Sequence, residues 1–327
     1  MTEIYRVEAP GKVNLLLSVS PQIVAGKHQL NSIFCSISLA DCLLLSFEPA
    51  VQPSVSLSVS YEPGLAPLDV LPAENICSRA VAAFEQQCGL LSPAALAIQL
   101  HKRLPAQAGL GGGSSDAAAV LRVLALRAGI ASDDQRLQAA AASLGADVAF
   151  FLRGGCAWMA GDGSLFRREL PNPQLHLVLV KPAGGISSKS AYAAFDASPQ
   201  PEIDLAGLTD LMHLAESAEP AARSDSPGCS LPVGNNLYPA ALSLLPELGP
   251  LMEDLGAQPG IEQVLLSGSG STVFGICSSG ADARQAAARL GACGLWAQAV
   301  STRSDAGLLE ELLSGGAGRD GVTGLNQ

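Results

Sequence analysis

The chain is poor in aromatic side chains and in charge: aromatic residues make up 4% of its 327 residues and charged residues 15%. So few rings leave little material for a platform on which nucleic-acid bases stack. Basic residues are outnumbered by acidic ones, 19 against 30, for a formal net charge of -11. A surface of that sign repels polyanions, which argues against nucleic acid and anionic membranes as partners. No apolar run reaches the roughly 18 residues a membrane helix needs, and no basic leader precedes an apolar stretch after Met1. The expectation is a cytoplasmic protein with no membrane partner. Metal-ligand spacing is also missing. The four histidines are scattered, and none of the eight cysteines forms a C-x-x-C pair. The cysteines read as small core hydrophobes in a reducing compartment.

Apolar residues are plentiful, at 48%. At about 150 residues per domain the length predicts two domains. Residues 12–20 form a short apolar run with Asn14 embedded, and 32–48 read as one long bent strand or two. Residues 54–61 alternate Val or Leu with Ser, a strand period. The period then changes. Asn75 can cap a helix carrying Ile76, Ala80, Val81 and Phe84 at helical spacing. Residues 95–100 read as strand, 114–128 as helix, and Ser132 starts another helix through about Leu144. A boundary is expected at Gly154-Gly155, dividing 1–154 from 155–314. Beyond it come a hairpin over 156–170 and strands at 176–181, 263–266 and 272–276. Residues 218–234 read as a long exposed loop and 315–327 as a disordered tail. The order of strands and helices lacks strict βαβ alternation, so the fold class is α+β.

The densest chemical signal is Pro105-Ala106-Gln107-Ala108-Gly109-Leu110-Gly111-Gly112-Gly113-Ser114-Ser115, followed by Asp116. It follows a predicted strand and enters a predicted helix. Glycines there let main-chain N–H groups converge without side chains in the way. The helix start adds unpaired amides and the positive end of its dipole, and the serines add hydroxyls. That is a cradle for a di- or triphosphate. It is not a Walker A loop, because no Gly-Lys-Ser/Thr ends it. A dinucleotide fingerprint fits poorly outside an early βαβ unit.

This loop resembles the P-x-x-x-G-L-G-G-G-S-S-D-A-A signature of the GHMP kinase family. Three further segments resemble the same family in the same order: Ala9-Pro10-Gly11-Lys12-Val13-Asn14-Leu15, Leu144-Gly145-Ala146-Asp147-Val148-Ala149-Phe150-Phe151, and Leu266-Ser267-Gly268-Ser269-Gly270-Ser271-Thr272-Val273-Phe274. The resemblance implies a two-domain fold, with an N-terminal ATP-binding domain like ribosomal protein S5 domain 2 and a ferredoxin-like C-terminal domain. It implies ATP as co-substrate, with Mg²⁺ arriving on its phosphates, a choice a hard cation favours.

By the same resemblance, Asp147 takes the proton of an acceptor alcohol and Lys12 pairs with it beside the reacting oxygen. Asn14, two residues along the strand from Lys12, faces the same way and contacts the substrate. The triple glycine favours the branch that phosphorylates a cytidyl diphosphate sugar alcohol in isoprenoid-precursor synthesis. Mevalonate, homoserine or sugar kinases, and a non-catalytic nucleotide-binding relative, stay open. Ala25-Gly26-Lys27-His28-Gln29-Leu30 resembles a D-G-Y-H-x-L segment that binds the cytidine end. It makes His28 a hydrogen-bonding candidate; separately, Gly185-Ile186-Ser187-Ser188 followed by Tyr192 resembles G-V-S-T-x-x-x-Y and makes Tyr192 a stacking one. Ala25 and Lys27 depart from the D-G-Y-H-x-L pattern, where aspartate and tyrosine are usual. A monomer or weak homodimer is expected.

Overall fold

A computed structural model of the chain describes residues 2–89, 94–204 and 233–313. Two sheets organise them. The first is opened by two long antiparallel strands, β1 (Glu3–Val24) and β2 (Lys27–Pro49). The stretch 32–48 is therefore one bent strand. Its second half alternates in the half-buried manner, with Leu43, Leu45 and Phe47 inward. Each such side chain contributes about 1.5–3 kcal/mol by leaving water. That half pairs with β4 (Ala94–Lys102), which in turn carries the parallel strand β3 (Ser54–Tyr61).

Four helices pack against this sheet. They are α1 (Ile76–Cys88), α2 (Gly112–Ala128), α3 (Gln135–Leu144) and α4 (Val148–Arg153). Asn75 caps α1 as expected, its Oδ1 accepting from the Cys77 amide at 2.9 Å. Asp134, not Ser132, caps α3. The apolar run after Asp147, which its length leaves open to strand or helix, is a helix. Five apolar residues do not distinguish the two states, and Gly154 ends the turn at positive φ.

The hairpin of β5 (Cys156–Gly161) and β6 (Leu165–Leu170) forms where expected, but it belongs to the first sheet. β5 lies antiparallel to the first half of β2. The layer thus runs past the expected cut at Gly154-Gly155. β7 (His176–Lys181) begins the second sheet. The helix α5 (Ser188–Ala197), the two-residue strand β8 (Gly234–Asn235) beside β1, and the helices α6 (Tyr238–Leu244) and α7 (Leu248–Gly256) follow among the described residues. Then come β9 (Ile261–Leu266), β10 (Val273–Cys277), α8 (Gly280–Ala292) and β11 (Trp296–Ser301). The second sheet is antiparallel with order β11-β7-β10-β9. Numbered within that sheet the order is 4-1-3-2, that of a split βαβ or ferredoxin-like unit. The last strand, β12 (Leu309–Leu313), returns to the first sheet beside β1. The expected loop over 218–234 lies outside the described residues except for its last two, and the tail over 315–327 lies wholly outside them.

Candidate active site

The loop between β4 and α2 lies where the two sheets meet. The Lys12 amide of β1 donates to the Leu110 carbonyl at 2.9 Å. From the second lobe, the Thr272 amide donates to Ala108 O at 3.1 Å and Ser267 Oγ donates to Gly109 O at 3.0 Å. Gly109 and Gly111 have φ of +72° and +70°, where other residues are strained. Space forbids a side chain as well. A Cβ on Gly109 would lie 2.0 Å from Ser267 O, and one on Gly111 would lie 2.8 Å from the Phe151 ring. Gly111 is the N-cap of α2, and the first intrahelical bond from this turn is Ser115 N–H to Gly111 O at 2.9 Å. The amides of Gly112, Gly113 and Ser114 precede that bond, at the positive end of a five-turn helix.

A cleft of about 1050 Å³ runs past this loop. On one side it is apolar, walled by Leu57, Val59, Leu65 and Ile76. On the other it is more polar, with Asp147, Asp162, Ser187, Ser188 and Tyr192. Between them stand Lys12 and Asn14. Irregularities in the β1–β2 register fall at Pro10/Lys12 and Asn14/Leu16, on either side of this pair. Such bulges re-aim side chains at functional positions.

Lys12 is buried, yet its Nζ is well held. It donates to Asn14 Oδ1 at 2.6 Å, lies 3.6 Å from Asp147 Oδ2, and sits 4.5 Å from the centre of the Phe34 ring. Asn14 is oriented in turn by donating Nδ2–H to Ser32 Oγ at 2.8 Å. Burial lowers the pKa of Lys12, and the Asp147 charge opposes that shift. Asp147 precedes α4 without capping it, which leaves its carboxylate free to face Lys12 and the cleft. The arrangement is a cation and a carboxylate beside a ring of main-chain donors. It can hold a polyphosphate and take a proton from a neighbouring hydroxyl.

The structure brings Lys12, Asn14, Asp147, Tyr192 and the loop from Pro105 to Ser114 to one cleft. It does not bring Ser115 or His28 there. Ser115 is buried on the core side of α2, its hydroxyl unexposed and unpartnered. His28 has both ring nitrogens engaged, Nδ1 with Ser20 O and Nε2 with Asp196 Oδ1, each at 2.9 Å. Its ring stacks on Tyr192 at 5.4 Å, so it supports the wall rather than forming it. Lys27 does not enter the cleft either; it pairs with Asp162, a cleft residue. Gly11 has a packing reason, since a Cβ there would lie 2.8 Å from Leu104 Cδ2. The sequence reading missed Asp41, Lys102 and Asp116, which form a buried ion cluster under the loop. Lys102 carries a faint signal, a lysine closing the strand that feeds the loop. Asp41 carries none.

Comparison with known proteins supplies the family. Residues 75–155 match the GHMP kinases N terminal domain and residues 220–294 the GHMP kinases C terminal model. A 4-diphosphocytidyl-2-C-methyl-D-erythritol kinase from Desulfitobacterium hafniense (strain Y51) is 36% identical over 283 residues, 86% of this chain and 89% of that protein. The chain belongs to the GHMP kinase family. A second kinase of the same name, from Polaromonas sp. (strain JS666), is 37% identical over 84% of this chain and 83% of its own length. Among solved structures, a 4-(cytidine 5'-diphospho)-2C-methyl-D-erythritol kinase superposes with a TM-score of 0.66 at 34% identity, covering 91% of this chain and 98% of that one. A homoserine kinase from Cytophaga hutchinsonii, 18% identical with a TM-score of 0.63 over 95% of this chain and 97% of its own, shares the fold. The chain thus has the two-domain fold of GHMP kinases and is an ATP-dependent kinase of a small molecule.

Proposed function

We propose that this GHMP kinase transfers the γ-phosphoryl group of ATP to the 2-hydroxyl of 4-diphosphocytidyl-2-C-methyl-D-erythritol, in the non-mevalonate route to isoprenoid precursors. The observation that carries the chemistry is the Lys12–Asp147 pair, 3.6 Å apart beside the glycine loop. The likeness to two kinases of that name over more than four fifths of the chain carries the substrate.

Phosphoryl transfer needs an in-line alcohol, a destination for its proton and donors for the developing charge. In this reading the amides of Gly112, Gly113 and Ser114 hold the phosphates, and the apolar side of the cleft takes the adenine. The acceptor lies on the polar side, its 2-hydroxyl against Asp147. The carboxylate takes the hydroxyl proton. Lys12, fixed by Asn14, stands beside the transferred group. Tyr192 offers a face to the cytosine, and burial raises its hydroxyl to about 12, so it stays a neutral phenol.

Mg²⁺ fits this site as a cation that enters on the nucleotide. No group of three or more His, Cys, Asp or Glu placed to hold a metal occurs among the described residues, while the Ser114 hydroxyl and the Asp147 carboxylate both line the cleft. Bound there, it neutralises phosphate charge. We read residues 1–154 and 155–314 as the ATP-binding and C-terminal domains at the sequence level, with β5, β6, β8 and β12 lent to the first sheet. A cytoplasmic monomer or weak homodimer, without nucleic-acid or membrane partners, agrees with the acidic composition and with the lack of a membrane-crossing helix among the described residues.

The test is turnover of the cytidyl compound against mevalonate and homoserine, with ATP and Mg²⁺. Transfer to the cytidyl compound alone is expected, and no transfer to it eliminates this substrate. Asp147→Asn is expected to lower kcat by about 10²–10⁴-fold, the range of a general base. An unchanged kcat removes Asp147 from that role.

A further inference from the structure

We propose that Asp41 is a positioning residue of the nucleotide site: from below the loop it fixes both of its ends, one of them through Lys102. This rests on reading the loop as the phosphate site.

Asp41 sits on β2, fully buried, and has no part in the Lys12–Asp147 chemistry. Its Oδ1 accepts from the main-chain amides of Arg103 and Leu104, the latter at 2.8 Å. Those two residues lead straight into Pro105. Its Oδ2 accepts from Lys102 Nζ. Lys102 Nζ also donates to Asp116 Oδ2 at 2.6 Å, and Asp116 lies in the second turn of α2. One carboxylate therefore fastens the strand exit directly and the helix entry through a lysine. The same lysine touches the floor of the loop: a Cβ on Gly112 would lie 3.4 Å from Lys102 Nζ. Lys102 and Asp116 both line the cleft.

The ammonium of Lys102 is held by two carboxylates. Burial acts against its charge, but Asp116 and Asp41 more than reverse that, so it stays cationic. The phosphates then meet a fixed ammonium and a fixed loop.

The role predicts a selective loss. Asp41→Asn keeps an oxygen for the two amides but turns an NH₂ group toward Lys102, which releases the lysine. The expected result is a rise of about tenfold in Kd for ATP, the effect of one charge-assisted hydrogen bond. Adenosine, which has no phosphates, should bind the variant as it binds wild type. KM for the acceptor should stay at its wild-type value. If Asp41→Asn does not yield folded protein, Lys102→Met carries the same prediction: ATP weakened, adenosine unchanged. Equal losses for ATP and adenosine, or no loss for either, overturn the proposal. Wild type that fails to bind ATP at all would instead remove the reading of the loop.

Discussion

Lys12 carries the largest electrostatic tension of any single residue in the proposed chemistry. It is 4% exposed, and desolvation favours its neutral form. Its folded-state pKa therefore lies below the 10.5 of a free lysine. The sign follows from proton binding. Between the two pKa values the unfolded chain holds the proton and the folded chain does not, so stability rises with pH across that window. Activity moves the other way, because the cation beside the phosphoryl group is lost as pH rises. The kcat profile should thus have an alkaline limb below pH 10.5. In Lys12→Arg the guanidinium keeps its charge, so that limb should move to higher pH at a lower plateau rate. An identical limb in both proteins would show that another group titrates. Lys12 and Asn14 were legible in the sequence because a polar pair at i and i+2 shares a strand face. Their 2.6 Å contact fulfils that spacing. Lys27 was legible as a departure from the family pattern, but its partner was not, since Asp162 lies on a different hairpin.

At the scale of elements, local pattern and local structure agree wherever the period is long or a cap is present. The alternation over 54–61 is β3, and the helical spacing after Asn75 is α1. The pattern fails over 148–152, where the run is too short to show a period. The loop was legible as a phosphate cradle from its glycines and its place at a helix start. Its structural role was not: the loop is the joint between the lobes. Gly109 shows why, for its carbonyl accepts from Ser267 and its Cα faces Ser267 O. Gly109→Ala places a methyl 2.0 Å from that oxygen. It also forces alanine into a left-handed conformation, at a cost of about 1–2 kcal/mol. The expected result is an ATP Kd raised by about tenfold or more and a lower melting midpoint, since relieving the clash moves the loop from the second lobe. Calorimetric titration and a thermal melt measure both. Wild-type values in the two would mean that the glycine is not needed for this contact.

The described residues begin and end on one sheet. After β6 the described chain builds the second lobe, touching the first sheet only through the two residues of β8, and returns as β12 beside β1. Sequence reading placed the division at Gly154-Gly155 because glycine pairs punctuate chains. It had no means of knowing that β5 pairs with β2, since strand partners 121 residues apart leave no mark in composition. The return is secured by Arg122 of α2. Half-buried, it donates Nη1–H to Ala306 O and Glu8 O and Nη2–H, at 2.6 Å, to Gly307 O. Burial lowers its pKa to about 10, so at neutral pH it is charged and gives charge-assisted bonds to carbonyls. The Glu8 amide completes the seam by donating to Leu308 O at 2.8 Å. Arg122→Met keeps the aliphatic stem and removes the donors. Carbonyls left without partners should cost about 3 kcal/mol, which lowers the melting midpoint by several degrees. Because β12 pairs with β1, the strand that carries Lys12, the variant should still melt in one transition. It should lose protection from hydrogen exchange first over 303–313. An unchanged midpoint, or protection lost first in the second sheet, would place the anchor of the C-terminal return elsewhere.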